Sequence, residues 1–205
     1  MIIEVCAESY EYAFKAEKAG ANRIELCKDL HLDGLTPDYE TAKKTIDSLN
    51  IPVFILIRPR EGDFIYSDEE FELMKSDIVK FKEMGCKGIV SGVLNDDNSI
   101  DIERTKELVE LSGPLEFTFH RAFDIVSKPF KEIENLIGIG VNRVLTSGQK
   151  EKAMDGLVLL EQLKRISKNR ILIMPGCGIS NMNFMKFNSF NEIHGSFKDG
   201  VPIIN

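Results

Sequence analysis

"AGANRIEL", residues 19–26, closes a helical pattern with a glycine and enters an apolar strand within three residues. The same junction returns as "MGCKGIVSG" at 84–92 and as "IGVNRVLTSG" at 139–148. Gly20, Gly85 and Gly140 suit the left-handed position that ends a helix, where a Cβ would be strained. No other sequence repeats with it. A recurring helix-to-strand step is nevertheless what a succession of βα units requires.

Working outward from these junctions, apolar runs of strand length are predicted at 2–6, 22–27, 53–58, 88–92, 115–119, 142–146, 171–174 and 191–195. Amphipathic segments between them predict helices near 9–19, 38–48, 68–84, 101–112, 128–138, 151–167 and 180–187. The helix at 68–84 is the best marked. Ser67 and Glu70 form a capping box, and Phe71, Met74, Ile78 and Phe81 follow at helical spacing. Pro37 is expected to open the second helix with Thr36 as its cap. No linker or low-complexity stretch interrupts the alternation, so residues 1–205 read as a single domain.

Eight strands with seven intervening helices predict an α/β fold, a (β/α)8 TIM barrel. Its last helix is expected to be missing or truncated, because the sequence ends about ten residues after the last strand. The competing architecture is an open doubly wound sheet. When that sheet binds dinucleotides its first turn is glycine-rich, whereas "CAESYEY" at 6–12 has no glycine.

The formal net charge of -7, with acids scattered among lysines, excludes a basic nucleic-acid stripe. The longest apolar run, "VFILI" at 53–57, cannot span a bilayer, and no basic leader precedes it. A cytoplasmic protein with no membrane partner is therefore expected. Its four cysteines would then be reduced thiols rather than a disulfide framework.

Strand alternation directs attention to "IIEVC" at 2–6 and "IELC" at 24–27. Ile3, Val5, Ile24 and Leu26 belong under the helices. Glu4, Cys6, Arg23, Glu25 and Cys27 then face the barrel interior. Several of them sit near the C-terminal strand ends, where barrel proteins place their chemistry. Arg58 ends strand three, His120 ends strand five, and Glu192 and His194 share a parity on strand eight. The loops add Arg60, Asp63, Tyr66, Arg121, Asp124, Ser147 and Gln149. Two inward glutamates demand cations or donors nearby, and Arg58 and His120 are the candidates. A structural ion network plugging the barrel would use the same residues.

Cys6 and Cys27 would sit about 4.8 Å apart on neighbouring strands, offset in height. A buried cysteine alone is ordinarily core. As a pair of thiolates they suit a soft ion, Cu(I), while Zn(II) would need two more ligands. Cys177 lies in a loop that reaches toward the same mouth, and Cys86 is expected to be structural. In "PGCGIS" at 175–180, Gly176 and Gly178 precede a helix capped by Ser180. Such a helix start binds anions, and the loops after strands seven and eight are the usual phosphate site of this fold. A tight turn needing glycine for geometry explains the same residues. His31 reads as a solvated loop residue.

The blocks "IEVC", "RIELC", "GLTP", "RPREGDFIYSDEEF", "VSGVL", "TFHRAFD" and "RVLTSGQ", in this order from residue 3 to 149, resemble the CutC family. The resemblance implies a (β/α)8 barrel, cytosolic homodimers or higher homo-oligomers, and Cu(I) held by thiols matching Cys6 and Cys27. Glu61 stands where the family commonly has glycine. Two functions are thereby expected. One is copper homeostasis through those thiols. The other is an enzyme acting on a small anionic metabolite, with Glu4, Glu25, Arg58, His120 and Asp124 as catalytic candidates. Arg60, Gly176, Gly178 and His194 would then bind the ligand. A scaffold with a relict site is a third.

Overall fold

The computed structural model describes residues 1–198 and 200–202. Its strands are β1 (Ile2–Ala7), β2 (Arg23–Leu26), β3 (Val53–Leu56), β4 (Gly88–Ser91), β5 (Glu116–Phe119), β6 (Arg143–Thr146), β7 (Leu172–Pro175) and β8 (Glu192–Gly195). The helices are α1 (Tyr10–Lys18), α2 (Tyr39–Ser48), α3 (Asp68–Glu83), α4 (Ile102–Ser112), α5 (Pro129–Gly138) and α6 (Leu157–Ser167). The strands pair in parallel in the order β7-β6-β5-β4-β3-β2-β1-β8, and β7 and β8 lie side by side. The sheet is therefore a nearly closed (β/α)8 barrel.

The recurring glycines do what the junctions require. Gly20, Gly85 and Gly140 have φ of +101°, +96° and +84°, and each starts the turn into β2, β4 or β6. Asn22 and Asn142 repeat a second task at the first and third junctions. Each side-chain oxygen accepts the backbone N–H of the preceding strand, from Ile3 at 2.8 Å and Phe117 at 2.7 Å. The Ser67–Glu70 capping box is formed as predicted.

Apolar packing divides into two layers. Ile3, Val5, Ile24, Leu26, Ile55 and Ile89 face outward into the cluster shared with the helices. A smaller cluster inside the barrel contains Cys6, Cys27, Phe54, Leu56 and Val90. This is the side-chain alternation expected of strands wrapped on both faces.

Three expectations about helices are corrected. Residues 180–187 form only a turn and a 3-10 segment, Phe184–Phe187. Three asparagines crowd "SNMNFMKFN", and Asn183 takes the Ser180 N–H on its own side chain at 2.9 Å, a local bond that competes with a helix. Residues 151–156 are turns rather than the first turns of α6, because Ala153 is tied to the loop after β7 through the Cys177 carbonyl at 3.0 Å. The second helix begins at Tyr39, not Pro37, and the Thr36 hydroxyl instead accepts the Arg58 N–H at 2.8 Å. Among the described residues no helix follows β8. Part of the stretch where an eighth would fall, residues 199 and 203–205, lies outside them.

Candidate functional site

The inward positions of β1 bring Glu4 level with Arg23 on β2 and with His194 on β8. Arg23 donates from Nε to Glu4 and from Nη2 to Glu192 at 2.5 Å. Arg143, from the equivalent position of β6, donates to Glu192 at 2.7 Å and to Glu116 at 2.7 Å. The two guanidinium groups flank the Phe54 ring, 4.7 and 5.2 Å from its centroid. Burial alone would raise the Glu4 pKa. Arg23, assisted by His194 and Arg143, outweighs it and holds the carboxyl well below the usual carboxylate range. This assembly fills the barrel floor at the N-terminal end of the strands.

Above it lies a cavity of about 450 Å³ that opens at the C-terminal end. Glu25 and His194 form its base, and Cys6 stands beside them. His194 Nδ1 is 2.8 Å from Glu4 Oε1 and 3.2 Å from Glu25 Oε2, but its hydrogen bond goes to Glu4. Glu25 Oε2 is buried without a hydrogen bond. Burial pushes the Glu25 carboxyl up to about 7. His194 moves in the other sense from what burial alone would do, because Glu25 and Glu4 raise it.

Arg58 and His120 stand on the cavity wall, both packed on the Phe64 ring, with centroid distances of 5.1 and 4.8 Å. A Cβ on Gly92 would come within 2.8 Å of the His120 ring, so glycine there lets the imidazole seat itself against β4. Burial, reinforced by Arg58, lowers the His120 pKa to about 3, so its imidazole is neutral.

Cys6 Sγ and Cys27 Sγ are 3.5 Å apart. Cys6 borders the cavity, while Cys27 is fully buried behind it. The Cys27 contact, burial, and the nearby Glu25 and Glu4 carboxylates all raise the Cys6 pKa, so its thiol is protonated at neutral pH. Cys177 also borders the cavity, with its thiol directed at the Glu151 carbonyl at 3.0 Å. Cys86 is buried just before β4, away from the mouth.

The remaining candidates scatter. Asp124 borders the cavity, yet its two oxygens accept from Arg121, Thr146, Ser147 and Gln149, which makes it a brace between the loops after β5 and β6. Arg60 does not border the cavity. It bonds Glu70 at 2.6 Å, Asp63 at 2.9 Å and the Ile65 carbonyl at 2.6 Å, and so ties its own loop to α3. Gly178 borders the cavity, but the helix whose start was expected to bind an anion is absent. The Gly176 N–H is spent on the Thr146 carbonyl at 3.0 Å. His31 is exposed.

The partners expected for the inward glutamates were Arg58 and His120; Glu4 instead uses Arg23 and His194. Arg143 was not anticipated. Its signal was the "NR" dipeptide common to "AGANRIEL" and "IGVNRVLTSG", which puts an arginine at the same inward position in β2 and β6.

Fold and mouth together define a (β/α)8-barrel protein with a solvent-reachable cavity, lined by both charged and apolar side chains, at the C-terminal end of its strands. The model of the CutC family matches residues 1–199. A mouse protein named copper homeostasis protein cutC homolog is 48% identical over 185 residues, 90% of this chain and 68% of the mouse protein. A CutC family protein of Photorhabdus laumondii is 44% identical over 196 residues, 95% of this chain and 79% of that protein. The crystal structure of CutC from Streptococcus agalactiae superposes with a TM-score of 0.90 at 31% identity, covering 96% of this chain and 99% of that one. The chain belongs to the CutC family.

Proposed function

We propose that this protein acts in copper homeostasis by taking Cu(I) on Cys6 and Cys27 in the cytoplasm. The observation that carries this reading is the 3.5 Å approach of two reduced thiols from neighbouring strands, with Cys6 at the cavity wall. Soft thiol sulfur suits Cu(I), and two sulfurs suffice for it where Zn(II) would need two further ligands. The names of the relatives point to the same metal.

The sulfurs stand closer than the roughly 4.6 Å spanned by two collinear metal–thiolate bonds of zinc-like length. Cu(I) entry therefore calls for Cys6, the cavity-side thiol, to rotate away from Cys27. Exchange of one thiol proton for one Cu(I) leaves the local charge unchanged, which suits a base already carrying Glu4 and Glu25. Loss of both protons would add a negative charge against them. Among the described residues no helix is long and apolar enough to cross a membrane. A reducing compartment keeps both thiols available.

The test is an anaerobic competition between the protein and a chromogenic Cu(I) chelator. Wild type is expected to withdraw one Cu(I) per chain, and Cys6→Ser/Cys27→Ser is expected to withdraw none. Undiminished withdrawal by the double variant refutes the assignment.

A further inference from the structure

The base of the cavity holds a carboxylate whose expected cation went elsewhere. The Glu25 side chain is 5% exposed, and its Oε2 is buried without a hydrogen bond. Arg58 donates instead to the carbonyls of Leu32 at 2.7 Å, Gly34 at 2.9 Å and Gly62 at 3.1 Å, and among the described residues it makes no ion pair within 4.0 Å. At the floor, Arg23 and Arg143 are matched by Glu4 and Glu192. Glu25 is left with His194 alone beside it. A buried carboxylate oxygen without a hydrogen bond is costly, so its retention calls for an explanation.

That oxygen points at His194 Nδ1, 3.2 Å away, and Glu4 Oε1 is 2.8 Å from the same nitrogen. Nδ1 carries one proton at most, and its hydrogen bond goes to Glu4. One donor atom from each of Glu4, Glu25 and His194 lies within 4.8 Å of the other two. These atoms face one another rather than the open cavity, so what they are arranged to hold is an ion among them. Bonds of about 2.0–2.2 Å to one ion set its neighbouring ligand atoms about 2.8–3.6 Å apart. Both separations from Nδ1, 2.8 and 3.2 Å, fall in that range. An outer partner is also in place. Arg23 Nε donates to the other Glu4 oxygen, Oε2, and so fixes that carboxylate with Oε1 toward His194.

We propose that Glu4 of β1, Glu25 of β2 and His194 of β8 form a site for one divalent first-row transition-metal ion at the base of the cavity. One oxygen of each carboxylate and His194 Nδ1 are the ligands. The ion takes the place of the Nδ1 proton, which leaves to solvent, and it answers both carboxylates where the proton answers one. Two oxygens and one imidazole nitrogen suit Zn(II), Fe(II) or Mn(II), and leave Cu(I) to sulfur. Glu25 and His194 border the cavity, which gives the ion a way in. Three protein ligands leave a coordination position for water or a small ligand, the open form of a metal site rather than the closed structural form. The proposal is independent of the copper reading, because neither Cys6 nor Cys27 is a ligand.

The experiment uses reduced full-length protein stripped of metal with a chelator. It is titrated with Zn(II) by calorimetry and with Co(II) by visible absorption. One ion per chain is expected in wild type and in Cys6→Ser/Cys27→Ser. Glu25→Gln and His194→Phe should each weaken Zn(II) binding at least about tenfold. Glu25→Gln should still withdraw Cu(I) from the chromogenic chelator, which separates failure of one reading from failure of the other. No Zn(II) binding in wild type, undiminished binding in Glu25→Gln, or sulfur-to-Co(II) charge-transfer absorption that vanishes in the double cysteine variant overturns the proposal. If His194→Phe does not fold, Glu25→Gln and the cysteine variant still decide it.

Discussion

Both ends of this barrel bury charge, and they treat it differently. At the floor, Arg23, Arg143, Glu4 and Glu192 neutralise one another through short bonds, with Phe54 packed between the guanidinium groups. At the mouth, Arg58, His120 and Glu25 are as deeply buried but each keeps a polar atom without a hydrogen bond, although Glu25 stands 3.2 Å from His194. The floor is closed both chemically and sterically. The mouth keeps unspent hydrogen-bonding capacity beside an open cavity. Burial of ionisable groups alone would not separate these roles; the accounting of their partners does.

Removing a floor cation is the severest way to break the contrast. Arg23→Met leaves Glu4 and Glu192 short of a partner and is expected to cost about 3–5 kcal/mol in urea unfolding. A loss below about 1 kcal/mol would mean the floor is not a mutually dependent network. The mouth should respond in the opposite sense. Glu25 has a folded pKa of about 7 against an ordinary 4.5, so the folded state holds its proton longer than the unfolded chain does. Stability from this group is complete below about pH 4.5 and is lost as pH rises through about 7, to a total of order 3 kcal/mol. His194, raised above its ordinary 6.5, loses its contribution in the same direction as pH climbs further. Glu25→Gln should therefore flatten the fall in unfolding free energy between about pH 5 and about pH 8 and be the more stable protein at the upper end. An unchanged slope in the variant rules out Glu25 as its source. The smallest effect is expected at the floor's rim. The Glu116 side chain is 52% exposed although its partner Arg143 is buried, so Glu116→Gln should cost less than about 1 kcal/mol by the same unfolding assay. A cost matching that of Arg23→Met would extend the closed floor to solvent.

Much of the architecture was legible in the chain. The three glycine junctions, the alternation in "IIEVC" and "RIELC", and the Ser67–Glu70 cap report local events, namely a positive φ, a two-residue period and a bond across one turn. The inward placement of Glu4, Cys6, Glu25 and Cys27 was legible for the same reason. The failures have a common cause too. The 180–187 segment was expected to be a helix, but the Asn183 side chain captured the backbone of Ser180 and Gly178. Arg60 and Asp124 looked like mouth residues by position, yet Arg60 is committed to bonds within its own loop and the start of α3, and Asp124 to a brace with the distant loop after β6.

The sequence by itself determined the order of strands and helices, which residues face the barrel interior, and the family, because these depend on period, turn chemistry and blocks of neighbouring residues. Only the tertiary structure decided which charges neutralise one another. Glu4 meets Arg23 through the β1–β2 register, and meets His194 because β8 closes beside β1, a contact spanning 190 positions. Arg58 remains without a carboxylate for the same reason. Counterions in a barrel are assigned by ring closure and register, which bring together residues that no local pattern relates.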